Sequence, residues 1–149
     1  MKISNLEDCP SDIEAVANWY FHEWDYKNSE SSLESVVKKI SSFANRNSFV
    51  VHIDGKLAGA GEIKYRKYSS YPGFNHWLDG IYVPFEYRGQ GISKALIEFS
   101  KAKALTLKIP SLYLRCEEHL VQLYENHGFR VVCTEETKFI MVLRISPNP

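Results

Sequence analysis

The sequence predicts an α/β (α+β) fold built as a single domain of residues 1–149, and three observations carry that prediction. Apolar residues recur at helical spacing in the first third of the chain. Two extended apolar runs meet at an Asp-Gly step, the signature of a tight hairpin. Between Trp77 and Arg115 a strand, a glycine-bearing turn, a long amphipathic segment and a second strand follow one another, which reads as a βαβ unit.

Taken in order, Lys2 to Asn5 reads as a short strand. Ile13, Val16, Ala17, Tyr20 and Trp24 then fall on one helical face. After the polar loop DYKNSES, a second helix is signalled by Leu33, Val36, Val37, Ile40 and Phe43, with Ser31 and Glu34 in capping-box spacing. Residues 48–53 and 57–66 flank DGK and form the hairpin. The run KYSSYPGFN, residues 67–75, is rich in Ser, Tyr, Pro and Gly and reads as a surface loop, of the kind that shapes substrate pockets. A strand over 77–83 leads to a helix over 91–108 carrying Ile92, Ala95, Leu96, Phe99, Ala102 and Leu105 on one side, stopped by Pro110. The strand 112–115, a short helix 118–127 closed by Gly128, and strands 130–133 and 138–145 complete the chain.

The bulk properties narrow the function classes. A chain of 149 residues supports one substantial core. Its 18 basic residues against 18 acidic ones, with no long block of either sign, give no footprint for nucleic acid or an anionic membrane, so a small ligand is the expected partner. The opening MKISNLEDCPSD lacks a secretory apolar core and no segment has the length of a membrane span, which predicts a cytoplasmic protein. Cys9, Cys116 and Cys133 form no CxxC pair, so reduced thiols and no metal are expected.

The most informative stretch is IYVPFEYRGQGISKAL, residues 81–96. It joins an apolar strand to a helix start, where backbone N–H groups lack internal partners and the helix dipole places partial positive charge. Gly89 and Gly91 permit close approach of a bulky ligand, and Arg88 adds a charged donor. A dinucleotide fingerprint would need a third glycine where Lys94 stands, and no Walker-type GxxxxGK[ST] occurs. By itself the segment also reads as an ordinary strand-to-helix turn.

Two blocks together point further. The apolar strand ending in Val83 and Pro84, followed by Arg88, Gly91 and Ser93 in the spacing [QR]xxGx[GA], resembles motif A of the GCN5-related N-acetyltransferases (GNAT), with Ser93 in place of the usual small apolar residue. LYLRCEEHLVQLYENHGF, residues 112–129, resembles motif B of that family, down to its terminal LYExxGF. The resemblance implies the acyl-CoA N-acyltransferase fold, a mixed, mostly antiparallel sheet flanked by helices. It implies acetyl-CoA as co-substrate, with no metal, and as acceptor an amine of a small molecule or peptide. It also allows a homodimer. The thioester arm would pair with the backbone of Ile81, Tyr82 and Val83, while the side chains of Ile81 and Val83 pack inward. The pyrophosphate would sit on amides of Arg88, Gly89, Gln90, Gly91, Ile92 and Ser93. A non-catalytic acyl-CoA-binding sensor is the alternative reading.

The resemblance also assigns Tyr124 the role of protonating the departing CoA thiolate, whereas spacing alone would pack it with Leu120 and Leu123. Glu117 and Leu120 stand where many members carry Asn and Ala. At pH 7 only about one part in a thousand of a lysine-like amine is neutral, so a proton acceptor is needed. Asp79 and Glu62 are the candidates, against the reading in which a strand carboxylate pairs with Lys64 or Arg66. His76 and His119 are weaker alternates. Cys116 lies near enough to the thioester, on the same resemblance, for an acyl-cysteine route, but Glu117 and Glu118 disfavour its thiolate, so direct attack by the amine is expected. Among Trp19, Trp24, Tyr26, Tyr68, Tyr71, Phe74 and Trp77, most belong to the core and a few line the acceptor pocket.

Overall fold

The computed structural model describes residues 1–42 and 46–145. In chain order it contains β1 (Lys2–Asn5), α1 (Ile13–Tyr20), α2 (Leu33–Ile40), β2 (Arg46–Ile53), β3 (Lys56–Tyr65), β4 (His76–Tyr82), α3 (Ile92–Thr106), β5 (Ser111–Glu117), α4 (Val121–Glu125), β6 (Arg130–Glu135) and β7 (Lys138–Arg144). The strands form a seven-stranded sheet in the order β1-β2-β3-β4-β5-β7-β6. β1 with β2, β5 with β7 and β6 with β7 are antiparallel, while β4 runs parallel to β5 with Trp77 opposite Tyr113. The mixed, mostly antiparallel sheet is therefore present. The β2–β3 turn has Asp54 at φ 50° and Gly55 at φ 77°, the left-handed pair that a two-residue hairpin requires.

The chain forms two compact units, Met1–Glu62 with Gly80–Leu96 and Ile63–Asp79 with Ile97–Pro149. In the first, α1 places Val16, Ala17 and Tyr20 against Val36 and Ile40 of α2, and Leu6, Val50 and Ala60 complete the cluster. In the second, Trp77, Tyr113, Ile140 and Val142 form a core on which Tyr68, Tyr71 and Phe74 pack. The 67–75 segment is accordingly more than a surface loop. Phe74 stacks on Tyr113 at 4.1 Å, Arg66 N–H bonds the Asn75 carbonyl across its neck, and the Tyr71 hydroxyl donates to Glu135 at 2.6 Å.

Four local expectations are corrected. Trp24 is half exposed because α1 gives way at Phe21–Asp25 to a π-helical turn, whose wider period carries Trp24 off the inner face. The α2 cap is Ser32, reciprocating with Ser35, since the Ser31 N–H is committed to the Asn28 carbonyl of the preceding turn. Phe43 lies outside the described residues. On α3 the buried row is Ile92, Leu96, Ser100 and Ala104 with Ile97 beside it, leaving Ala102 and Leu105 exposed. A serine inside the inner row disguised its direction. Finally, residues 118–120 form a 3-10 turn ahead of a shorter α4, and Gly128 at φ 96° ends it with the Phe129 N–H on the Tyr124 carbonyl.

Candidate functional site

The turn between β4 and α3 has the geometry of an anion cradle. After Pro84 and a 3-10 turn over Phe85–Tyr87, Gly89 and Gly91 both take left-handed φ, 78° and 79°. A β-carbon added at either would meet nothing within 4 Å among the described residues. The glycines thus serve backbone conformation and leave open space above the turn. The Gly91 carbonyl accepts from Ala95 N–H at 3.1 Å, so the amides that follow it are the unpaired first-turn donors of a 15-residue helix. Buried Ile92 anchors that turn in the core, while Ser93 is half buried and Gly89, Gln90 and Gly91 are exposed. Arg88 does more than offer charge. Its Nε donates to the Val83 carbonyl at 3.0 Å, closing the turn on the strand it leaves.

Inside β4, Gly80 takes a left-handed φ of 63°. The buried Tyr20 hydroxyl donates to the Gly80 carbonyl at 2.8 Å. Beyond it Ile81 and Tyr82 are half buried and Val83 is buried. Tyr82 stacks on Trp19 at 5.1 Å and meets Trp24 edge-on at 6.3 Å. Neither Tyr20 nor Gly80 stood out in the sequence reading. The available signal was a glycine inside a strand pattern, which marks a bulge or a close backbone approach.

The two candidate carboxylates have different surroundings. Glu62 is buried, accepts from the Ser48 hydroxyl at 3.4 Å, and its Cγ lies 3.4 Å from where a Gly80 β-carbon would stand. Asp79 is half exposed and paired with Lys64 at 2.5 Å, one of the two cations weighed for it in the sequence. His76 is half buried, which lowers its pKa, and exposed His119 lies 3.4 Å from Glu117.

Tyr124 is buried on α4 with its ring edge toward Phe129 at 5.8 Å. Burial, with a smaller upward push from neighbouring Cys116 and Asp79, takes its phenol up to about 12. Cys116 is buried too, and its thiol donates to Met141 Sδ at 3.8 Å. Burial raises the thiol pKa against the opposing pull of Lys138, so the protonated form is favoured. Among the described residues, no group of three or more His, Cys, Asp or Glu is arranged to hold a metal, and no helix is long and apolar enough to cross a membrane.

Comparison with known proteins bears on this geometry. The sequence profile described as "Acetyltransferase (GNAT) family" matches residues 13–129. No curated protein matches the chain at the level of sequence. Among solved structures, an aminoglycoside 6'-N-acetyltransferase complexed with coenzyme A superposes with a TM-score of 0.78 at 16% identity, covering 100% of this chain and 99% of that one. The ribosomal-protein-S18-alanine N-acetyltransferase from Escherichia coli gives 0.72 at 21% identity, with 99% and 96% covered. Mutant forms of a spermidine/spermine N-acetyltransferase from Vibrio cholerae give 0.70 at 18% identity, with 97% and 94% covered. At these identities the likeness is one of fold.

Proposed function

The chain belongs to the acetyltransferase (GNAT) family, and from that premise we propose that it transfers acetyl from acetyl-CoA to an amine of a small molecule or peptide. The observation that carries this reading is the pair of left-handed glycines with open space above them at the start of α3. Acetyl-CoA supplies an activated acyl group in thioester linkage. Amides of Gly89, Gln90, Gly91, Ile92 and Ser93 would receive its pyrophosphate, a task for which helix-start N–H groups need no further cation; the Arg88 amide, expected among them, is instead given to the Phe85 carbonyl at 3.1 Å, closing the 3-10 turn. Backbone groups of Ile81, Tyr82 and Val83 would pair with the amides of the pantetheine arm much as an added strand does. Because the Val83 carbonyl already accepts from Arg88, Ile81 and Tyr82 are the main contributors there.

In the transfer, the acceptor nitrogen forms a bond to the acyl carbon, the carbon–sulfur bond breaks, and the sulfur leaves with the electron pair. Tyr124 would hand its phenolic proton to that sulfur, a role for which its high pKa keeps it protonated throughout the neutral range. Glu62, buried and with its Cγ against the Gly80 position that precedes Ile81 and Tyr82, is the preferred acceptor of the proton released by the amine, ahead of half-exposed Asp79. The exposed ring of Trp24 beside Tyr82 suits the wall of a pocket for an amine-bearing molecule.

The test is an acceptor screen with acetyl-CoA, following release of free thiol across aminoglycosides, polyamines, amino acids and peptide N termini. Thiol release that depends on one acceptor class establishes the enzyme and its substrate. A thermal shift with CoA but no transfer to any acceptor would assign the chain to acyl-CoA sensing instead.

A further inference from the structure

We propose that Trp19 and Tyr20, the last two residues of α1, are positioning residues that aim the backbone of β4 at the acyl arm of acetyl-CoA. The inference deepens the reading of β4 given above and rests on it. A residue with positive φ inside a strand bends it and re-aims the groups that follow, as bulges do. Gly80, at φ 63°, is that residue, and it stands immediately before Ile81 and Tyr82. Its carbonyl accepts the Tyr20 hydroxyl at 2.8 Å, and Tyr20 is buried, so the bond is made away from water.

The fit admits no substitute at Gly80. A β-carbon there would stand 2.7 Å from Tyr20 Oη and 2.8 Å from Cζ. Two residues on, the Trp19 ring lies on Tyr82 at 5.1 Å with planes 26° apart. Arg88 then takes the Val83 carbonyl at 3.0 Å. The strand is therefore gripped on both sides of Ile81, by a hydrogen bond before it and a ring stack after it, and tied again at Val83. The two grips from α1 use adjacent residues because residues one apart on a helix point about 100° apart. One side chain can reach a backbone carbonyl while the next covers a ring. What lies between the grips is the short stretch of main chain to which the acyl arm is assigned. Holding it in advance lowers the ordering cost of binding that arm.

The experiment separates the arm from the nucleotide. Binding of acetyl-CoA and of 3′-phosphoadenosine 5′-diphosphate, which keeps the pyrophosphate and lacks pantetheine, is measured by calorimetry for wild type, Tyr20→Phe and Trp19→Leu. Circular dichroism and melting verify the fold of each variant. Each variant should weaken acetyl-CoA by about tenfold while the nucleotide fragment binds within about twofold of wild type. The half-buried Trp19 site supplies the answer should Tyr20→Phe fail to fold. A folded variant that binds acetyl-CoA as wild type does, or that loses both ligands equally, overturns the positioning role. Failure of wild type to bind acetyl-CoA at all overturns the functional reading itself, an outcome distinct from either.

Discussion

At Tyr124, burial does two things to one proton. It keeps the phenol neutral to about pH 12, and it ties that neutrality to the fold. A folded pKa raised above the ordinary value near 10 contributes stability that is complete below about pH 10 and is lost as pH rises through about 12. Denaturant midpoints of wild type should therefore fall across this alkaline window, and Tyr124→Phe should flatten the fall. In turnover the same variant should lose about a hundredfold with acetyl-CoA affinity nearly intact. An unchanged rate would leave Tyr124 as packing against Phe129. For the proton acceptor, Glu62→Gln should lower kcat/KM by about a hundredfold, whereas Asp79→Asn, which breaks a half-exposed ion pair, should stay within about threefold. The reverse ranking would transfer the role to Asp79.

At the scale of elements, α3 shows how far periodicity carries. Its existence and nearly its bounds were legible, as were the hairpin and the succession of strand segments along the chain, though not their order in the sheet. The inner face was not, because Ser100 sits in a row that sequence scoring expects to be apolar. The expected α2 cap was Ser31; the cap is its neighbour Ser32, reciprocating with Ser35, while the Ser31 amide serves the preceding turn. The cradle at the helix start was legible because its requirement is local: two glycines, a strand before, a helix after. Gly91→Val tests it. The strain of a branched residue at φ 79° costs on the order of 1–2 kcal/mol, while its side chain enters space now open to a ligand. The variant should fold, melt somewhat earlier, and lose the thermal shift with CoA. A folded variant with a wild-type shift would place the pyrophosphate elsewhere.

For the molecule as a whole, the reading is of a family fold in which both substrates are held together and no acyl group rests on the protein. Buried Cys116, bonded to Met141 and disfavoured as thiolate, fits a bystander. Cys116→Ala should remain active. Rates with both substrates varied should give intersecting double-reciprocal lines, and mass spectrometry with acetyl-CoA alone should find no acetyl adduct on Cys116. Parallel lines with such an adduct would make Cys116 the nucleophile.

The sequence by itself determined the family, the mixed sheet's elements and the cradle, since strand and helix periods and a glycine turn are properties of neighbouring residues. It named Tyr124, Glu62 and Asp79 as groups of suitable chemistry but could not rank the two carboxylates. The ranking we propose rests on Glu62 being closed in near Gly80 while Asp79 stays half exposed. The tertiary structure alone decided these environments, and it alone joined Tyr20 to Gly80, sixty residues apart in the chain. Burial and pairing come from segments distant in sequence, so a residue's charge state and grip are written only when those segments meet.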